Sequence, residues 1–368
     1  MKHKLIVGTG FIGVLLVCAV RAFPSGTEGR VYKPIPAQEK ELEIDHGLRK
    51  VDFLKGERHS EDVIKAEQDG ALGAITLKVV DQTGHVVSNA TVQGGFYNHG
   101  KSGYGFKKTV GANGLVELKN RCVGDMHFTI EKDGYYKTSY TYRFLKAWHD
   151  CAKNGRWIPW NPTVEVILKR KVNPVAMYAF DYTANYTVIP KIGEPLGFDL
   201  MAGDWVAPNG TGKTPDFKVT YFRDGEGRDF THQELVLTAD GPFAGFMKVK
   251  SDTYSAFKSP HHADTNDVYT QELRFTFDRP SDTGRYVDGR MTAEECIVFR
   301  SRTRIDKDGR LVGAHYGKIY GPLKFATSHR GPGSMKPLFY LNPTENDTNL
   351  EYDPRRNLLY PKARNSPP

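Results

Sequence analysis

The chain is predicted to be all-β: an N-terminal, seven-strand-type sandwich, then a larger antiparallel sandwich-like domain. Three observations predict this. Apolar residues alternate with polar ones over short runs, as in Ile75-Thr-Leu-Lys-Val79, which buries one face of a strand. Asp/Asn-Gly pairs such as Asn113-Gly114 and Asp133-Gly134 separate those runs and supply tight turns. No 3.6-residue apolar period persists long enough for a helical domain. At 368 residues the chain suits two domains, and 39% hydrophobic with 12% aromatic residues suffices for packed cores.

The elements follow in order. Met1-Lys-His-Lys4 is a basic segment, Leu5–Val20 is apolar, and Val20-Arg21-Ala22 places small residues where a signal peptidase cuts. Residues 1–22 are therefore expected to direct export. Gly8-Thr-Gly10-Phe-Ile-Gly13 matches a dinucleotide fingerprint, but the polar stretch from Phe23 onward supplies no continuing βαβ unit. Residues 23–71 read as a charged linker, with helix signals only between Ser60 and Gly70.

Residues 72–170 form the first domain. Ile75, Leu77 and Val79 share one strand face; Met126, Phe128 and Ile130, then Val164, Val166 and Leu168, repeat the pattern. The run Ile75–Val92, the turns at Asn113-Gly114 and Asp133-Gly134-Tyr135, and the closing Val164–Lys169 strand resemble the carboxypeptidase regulatory-like domain, a transthyretin-like sandwich. That resemblance implies an accessory module without chemistry of its own. Two insertions depart from it: Gly94–Gly105, rich in glycine and aromatics, and Phe144–Pro162, which carries Trp148, Cys151, Trp157 and Trp160.

Residues 171–360 form the second domain, with strands at Lys218–Phe222, Glu234–Thr238, Leu273–Phe277 and Ile297–Ile305. Asp306-Lys-Asp-Gly309 is a hairpin turn into Leu311–Tyr320. Residues 361–368 are an expected frayed tail.

Charge and motifs restrict function. The net charge of +8 falls to +5 without residues 1–22 and is spread along the chain, which argues against nucleic acid. Export permits disulfides, and Cys122–Cys151 is the expected pair, leaving Cys296 as a buried thiol. Ala207–Thr214 fits a loose phosphate-loop pattern, but a strand rather than a helix follows, so it reads as a turn. His261, His262, Asp264 and Asp267 are the densest group of metal-ligand types; the alternative to a metal site is a polar loop. Arg300, Arg302 and Arg304 alternate in one strand and form a row suited to the oxyanions of an acidic glycan, unless that face is merely solvated. Trp157 and Trp160 either stack on sugar rings or plug their loop onto the domain. No cofactor is implied.

The expected function is thus an exported, non-enzymatic binding protein of the cell envelope or secreted medium, with polysaccharide or an envelope protein as partner and no membrane span after signal cleavage. Two alternatives stand beside it: a secreted hydrolase using the His261/Asp264 loop of the second domain, and a structural envelope component.

Overall fold

The computed structural model describes residues 60–98, 104–145, 151–181, 187–225, 231–252, 254–266, 269–279, 285–328, 331–359 and 366–368. The expected export signal, Trp148, Asp267 and most of the linker and tail lie outside them. The described residues hold one helix and 24 strands, so the all-β expectation is met.

The first unit opens with α1 (Glu61–Asp69), followed by β1 (Ala71–Asp81), β2 (Thr91–Phe96), β3 (Tyr104–Thr109), β4 (Leu115–Cys122) and β5 (Asp125–Glu131). Next come β6 (Thr138–Arg143), β7 (Ala152–Lys153), β8 (Arg156–Trp157) and β9 (Thr163–Leu168). One sheet pairs β4 with β1, and β1 also pairs in parallel with β9 and with the β7–β8 hairpin. The other runs β3-β2-β5-β6, all antiparallel. Their facing sides close a core of Ile75, Leu77, Val79, Val92, Phe128, Ile130 and Leu168, each fully buried. The alternation read from the sequence therefore points inward as expected.

Two assignments within this unit change. The segment before Gly70 is not a free tether, because α1 seats Val63 and Ala66 in the first core. Glu61 and Asp62 in its first turn complement the helix dipole. Cys122 and Cys151 are not joined in the expected disulfide. Both pack as small apolar side chains in the same core, and burial pushes the Cys122 thiol up to about 12, far from the reactive thiolate.

The second unit contains β10 (Val175–Asp181), β11 (Thr187–Ile189), β12 (Leu196–Asp199), β13 (Asp204–Trp205), β14 (Phe217–Arg223), β15 (His232–Thr238), β16 (Gly245–Lys250) and β17 (Glu272–Asp278). It continues with β18 (Val287–Asp288), β19 (Glu295–Ile305), β20 (Leu311–Tyr320), β21 (Lys324–Ser328), β22 (Gly331–Lys336), β23 (Leu338–Leu341) and β24 (Tyr352–Asn357). Two six-stranded sheets, β16-β19-β20-β23-β10-β24 and β13-β12-β14-β15-β17-β18, enclose the larger core; β11-β22-β21 is a separate ribbon. Val219, Tyr221, Leu235, Leu237 and Phe275 meet Ile297, Phe299, Ile319 and Phe339 there. All pairs are antiparallel except β10 with β24.

A segment of the second unit lies on the first. The amide of Ser139 in β6 donates to the Tyr254 carbonyl at 2.9 Å, and the Ala256 amide to the Lys137 carbonyl at 2.8 Å. These bonds cover the exposed edge of β6, as an added strand would. Lys169, buried at the end of β9, donates to the carbonyls of Phe257 (3.0 Å) and Ser259 (3.2 Å). Beneath the same segment, Lys318 is fully buried among the rings of Phe257, Tyr320 and Tyr340, with its Nζ 2.6 Å from the Tyr320 hydroxyl.

Candidate functional site

Strands β14, β15 and β17 lie side by side in the second sheet of the larger sandwich, and their period of two sets the chemistry of each face. Val219, Tyr221, Leu235, Leu237, Leu273 and Phe275 point into the core. The intervening residues form three rows on the opposite face. Register places Phe222 beside Glu234 and Thr276, Thr220 beside Val236 and Arg274, and Lys218 beside Thr238 and Glu272. The rows line a groove of about 340 Å³, walled at one end by Gly193 and Pro195 from the loop before β12. Gly193 has φ +74, and its amide donates to the Tyr221 carbonyl at 2.8 Å, which holds this wall beside the edge of the Phe222 ring.

The groove combines an apolar floor with organised polar groups. Val236 is only 4% exposed although it faces outward, whereas Phe222 remains 38% exposed and offers a free ring. Arg274 joins the two carboxylates: Nε donates to Glu272 Oε1 at 2.7 Å and Nη1 to Glu234 Oε1 at 3.1 Å. An aromatic platform flanked by fixed acceptors and two threonine hydroxyls can take a ligand with apolar faces and a hydroxyl rim. Among the described residues no histidine or cysteine lines it.

The residues singled out from sequence lie elsewhere. The arginine row does not exist as a row, because the register of β19 against β20 shifts between Ser301 and Arg304, and Arg302 takes φ +49. Arg300 is 3% exposed; its Nε donates to the Phe243 carbonyl, and its guanidinium lies 4.4 Å from the centre of the Tyr269 ring. Arg302 turns inward to Asp216, through Nε to Oδ1 at 2.8 Å and Nη2 to Oδ2 at 2.9 Å, and to Asp199 Oδ1 at 2.8 Å. Arg304 forms a two-bond pair with Glu345, both bonds at 2.8 Å. The guanidinium forks are thus occupied by the protein's own carboxylates and carbonyl.

Asp199 and Asp216 also organise the glycine-containing turn that mimics a phosphate loop. The amides of Lys213 and Thr214 donate to Asp199 Oδ2, and the Leu200 amide to Asp216 Oδ2. Burial opposes the Asp199 charge, but those amides, the Ala202 amide and Arg302 outweigh it and hold its carboxyl below the usual range.

Trp157 is completely buried, and its Nε1 donates to the Cys122 carbonyl at 3.0 Å, so it plugs the insertion onto the first core and is not available to a ligand. Trp160 is 37% exposed, with the Lys119 and Arg156 cations at 5.2 and 4.8 Å from its ring centre. His261 Nε2 lies 3.0 Å from the Arg170 carbonyl, while His262 Nδ1 lies 3.2 Å from Thr348 Oγ1. Asp264 accepts from the Asn266 amide at 2.8 Å and caps its own loop. These side chains hold separate loops, and among the described residues no group of three or more His, Cys, Asp and Glu could hold a metal ion. The strands bearing the groove were identifiable from sequence, but the meeting of Glu234 with Arg274 depends on pairing across 40 positions.

Among the described residues no helix is long and apolar enough to cross a membrane. No protein-family model and no curated protein matches the chain. Among solved structures, the chain is similar to chlorocatechol 1,2-dioxygenase from Pseudomonas putida at 13% identity and a TM-score of 0.24, over 28% of this chain and 61% of that one. Catechol 1,2-dioxygenase from Acinetobacter radioresistens gives 13% identity and a TM-score of 0.23, over 37% and 70%. BcpA, the major pilin subunit of Bacillus cereus, gives 13% identity and a TM-score of 0.20, over 76% and 99%. The chain thus spans about three fifths of the first of these structures.

Proposed function

We propose that this chain is an exported, non-enzymatic protein of the envelope or secreted medium that binds a neutral polysaccharide across the open face of β14, β15 and β17. The reading rests on one observation: an exposed phenyl ring beside two carboxylates held by a single guanidinium, on a sheet face that a passing polymer can reach. Sugar rings present C–H faces to an aromatic ring and hydroxyls to carboxylates, and the three-strand width is about 10 Å, matching an extended saccharide rather than an enclosed small molecule. The lining carries Glu234, Glu272 and Arg274, so it disfavours the acidic glycan suggested by the arginine row.

Export is supported by the basic and apolar pattern of residues 1–22, and an accessory role for the first unit by its resemblance to the carboxypeptidase regulatory-like domain. The test is affinity electrophoresis of the full chain in gels containing glucans, xylans or mannans. At least one neutral polymer should retard migration, and Phe222→Ala should relieve that retardation. Failure of every neutral polymer to retard the protein, or equal retardation of Phe222→Ala, would refute the reading.

A further inference from the structure

The outer face of the first unit's β4–β1–β8 region carries a second, unrelated arrangement. Leu72 pairs with Arg121 on one side and Arg156 on the other, and Ala74, two residues along β1, pairs with Lys119. Directly paired residues share a face, and so do residues two apart on one strand. Register therefore puts Arg121, Lys119 and Arg156 on one surface, opposite the core.

The loop after β8 adds an indole to that surface. Thr76 anchors it: the Thr76 amide donates to the Pro162 carbonyl and its hydroxyl to Asn161 Oδ1, both at 2.9 Å. Asn161 takes φ +50, a left-handed conformation that asparagine tolerates. The indole of Trp160 then lies within 5.2 Å of Lys119 Nζ and 4.8 Å of the Arg156 guanidinium, measured to the ring centre. Arg121 donates through Nη1 to the Gly70 carbonyl. Among the described residues none of these cations is in an ion pair, whereas Arg302, Arg304 and Arg274 of the second unit all are. Of the carboxylates on this face, Glu165 is held by Lys78 at 2.9 Å, and Glu117 lies level with Thr76.

We infer that Trp160, Lys119, Arg156 and Arg121 form a binding platform for an acidic polysaccharide, a chain bearing carboxylate or sulfate groups. Two cations oriented by one indole, with a third beside them, present donors to an oxyanion, while the exposed part of the ring contacts the sugar that carries it. Charge complementarity selects this occupant. A bilayer requires more apolar surface than one 37% exposed indole and Leu115, also 37% exposed. A nucleic acid requires a longer basic stripe than one compact cluster. This site is independent of the groove on the second unit and stands or falls separately.

The test uses the full chain and polygalacturonate as probe, with dextran and vesicles rich in phosphatidylserine as the other arms. The wild-type protein should bind polygalacturonate in 50 mM salt, and Lys119→Ala/Arg156→Ala should weaken that binding at least tenfold. The difference should close at 0.5 M salt, where the screening length is a few ångströms. Trp160→Ala should weaken binding severalfold. Lys307→Ala/Arg310→Ala, which removes the same charge from the exposed turn after β19, should change it less than twofold. Thermal midpoints of all variants within 2 °C of wild type would assign the losses to the platform. No binding of polygalacturonate, equal binding by the Lys119/Arg156 variant, or stronger binding to the vesicles would overturn the inference.

Discussion

Replacing Arg302 with methionine separates a structural cation from a ligand-binding one. Arg302 donates to Asp216, whose side chain is 0% exposed, and to Asp199, whose side chain is 8% exposed. Methionine keeps most of the side-chain volume but leaves both carboxylates without their cation. Removing one partner of a buried ion pair costs about 3–5 kcal/mol, because the remaining charge stays desolvated. For a unit of this size that corresponds to a fall in Tm of about 6–20 °C.

The pH dependence has a definite sign. In the wild-type protein the lowered Asp199 carboxyl contributes stability that is present above its ordinary value of 3.8 and is lost as pH falls through its folded value. Without Arg302 the Asp199 carboxyl keeps its burial and its amide donors but loses a cation that helps hold it low, so the deficit of Arg302→Met should be larger at pH 7 than at pH 4. Urea denaturation at the two pH values measures both quantities. Adding Asp199→Asn and Asp216→Asn to Arg302→Met should recover part of the loss, since neutral amides still accept from the Leu200, Lys213 and Thr214 amides. A loss under about 1 kcal/mol for Arg302→Met, accompanied by loss of acidic-glycan binding, would restore the oxyanion row and refute the structural assignment.

Three further outcomes follow from the same packing. Trp157→Ala should lower stability by about 3–5 kcal/mol in urea denaturation without altering retardation by neutral glycan, because the ring fills the first core and caps the Cys122 carbonyl. Lys318→Met should be at least as stable as wild type at pH 7. Burial holds the Lys318 amine well below its ordinary 10.5, so wild-type stability should rise with pH, by up to about 1.4 kcal/mol per pH unit between the folded and unfolded values, and the variant should lose that component. Cys122, Cys151 and Cys296 should each react with a thiol reagent only after denaturation, with the intact mass unchanged by reductant; burial pushes both Cys122 and Cys296 up to about 12.

The strands were the most legible part of the sequence, because a half-buried strand writes its face directly into every second residue. Lys218–Phe222 lies within Phe217–Arg223, and the hairpin at Asp306–Gly309 leads into Leu311–Tyr320 as expected. Ser60 and Gly70 also bracket the observed helix. Its docking was not legible, since two buried residues, Val63 and Ala66, leave little apolar signal in a polar segment.

The arginine row was misread for a similar reason. Alternation holds only while register holds, and no glycine marks the bulge where Arg302 leaves the row. The parallel pairs β1–β9 and β10–β24 join residues far apart in sequence, and period-two patterning carries no information about such partners. The groove shares this origin. Phe222, Glu234 and Arg274 were each readable as outward-facing, but only the pairing of β14, β15 and β17 brings them together.

Hydroxyl-radical footprinting of the full chain, with and without saturating neutral hexasaccharides of glucose, xylose or mannose, tests the binding reading most directly. Phe222 is exposed enough to be oxidised in the free protein. One of these sugars should protect it severalfold and leave Tyr97 and Tyr286, both more than half exposed and neither lining the groove, unchanged. Oxidation of Phe222 at the free rate under every sugar, or protection of the other two rings in its place, would contradict the account.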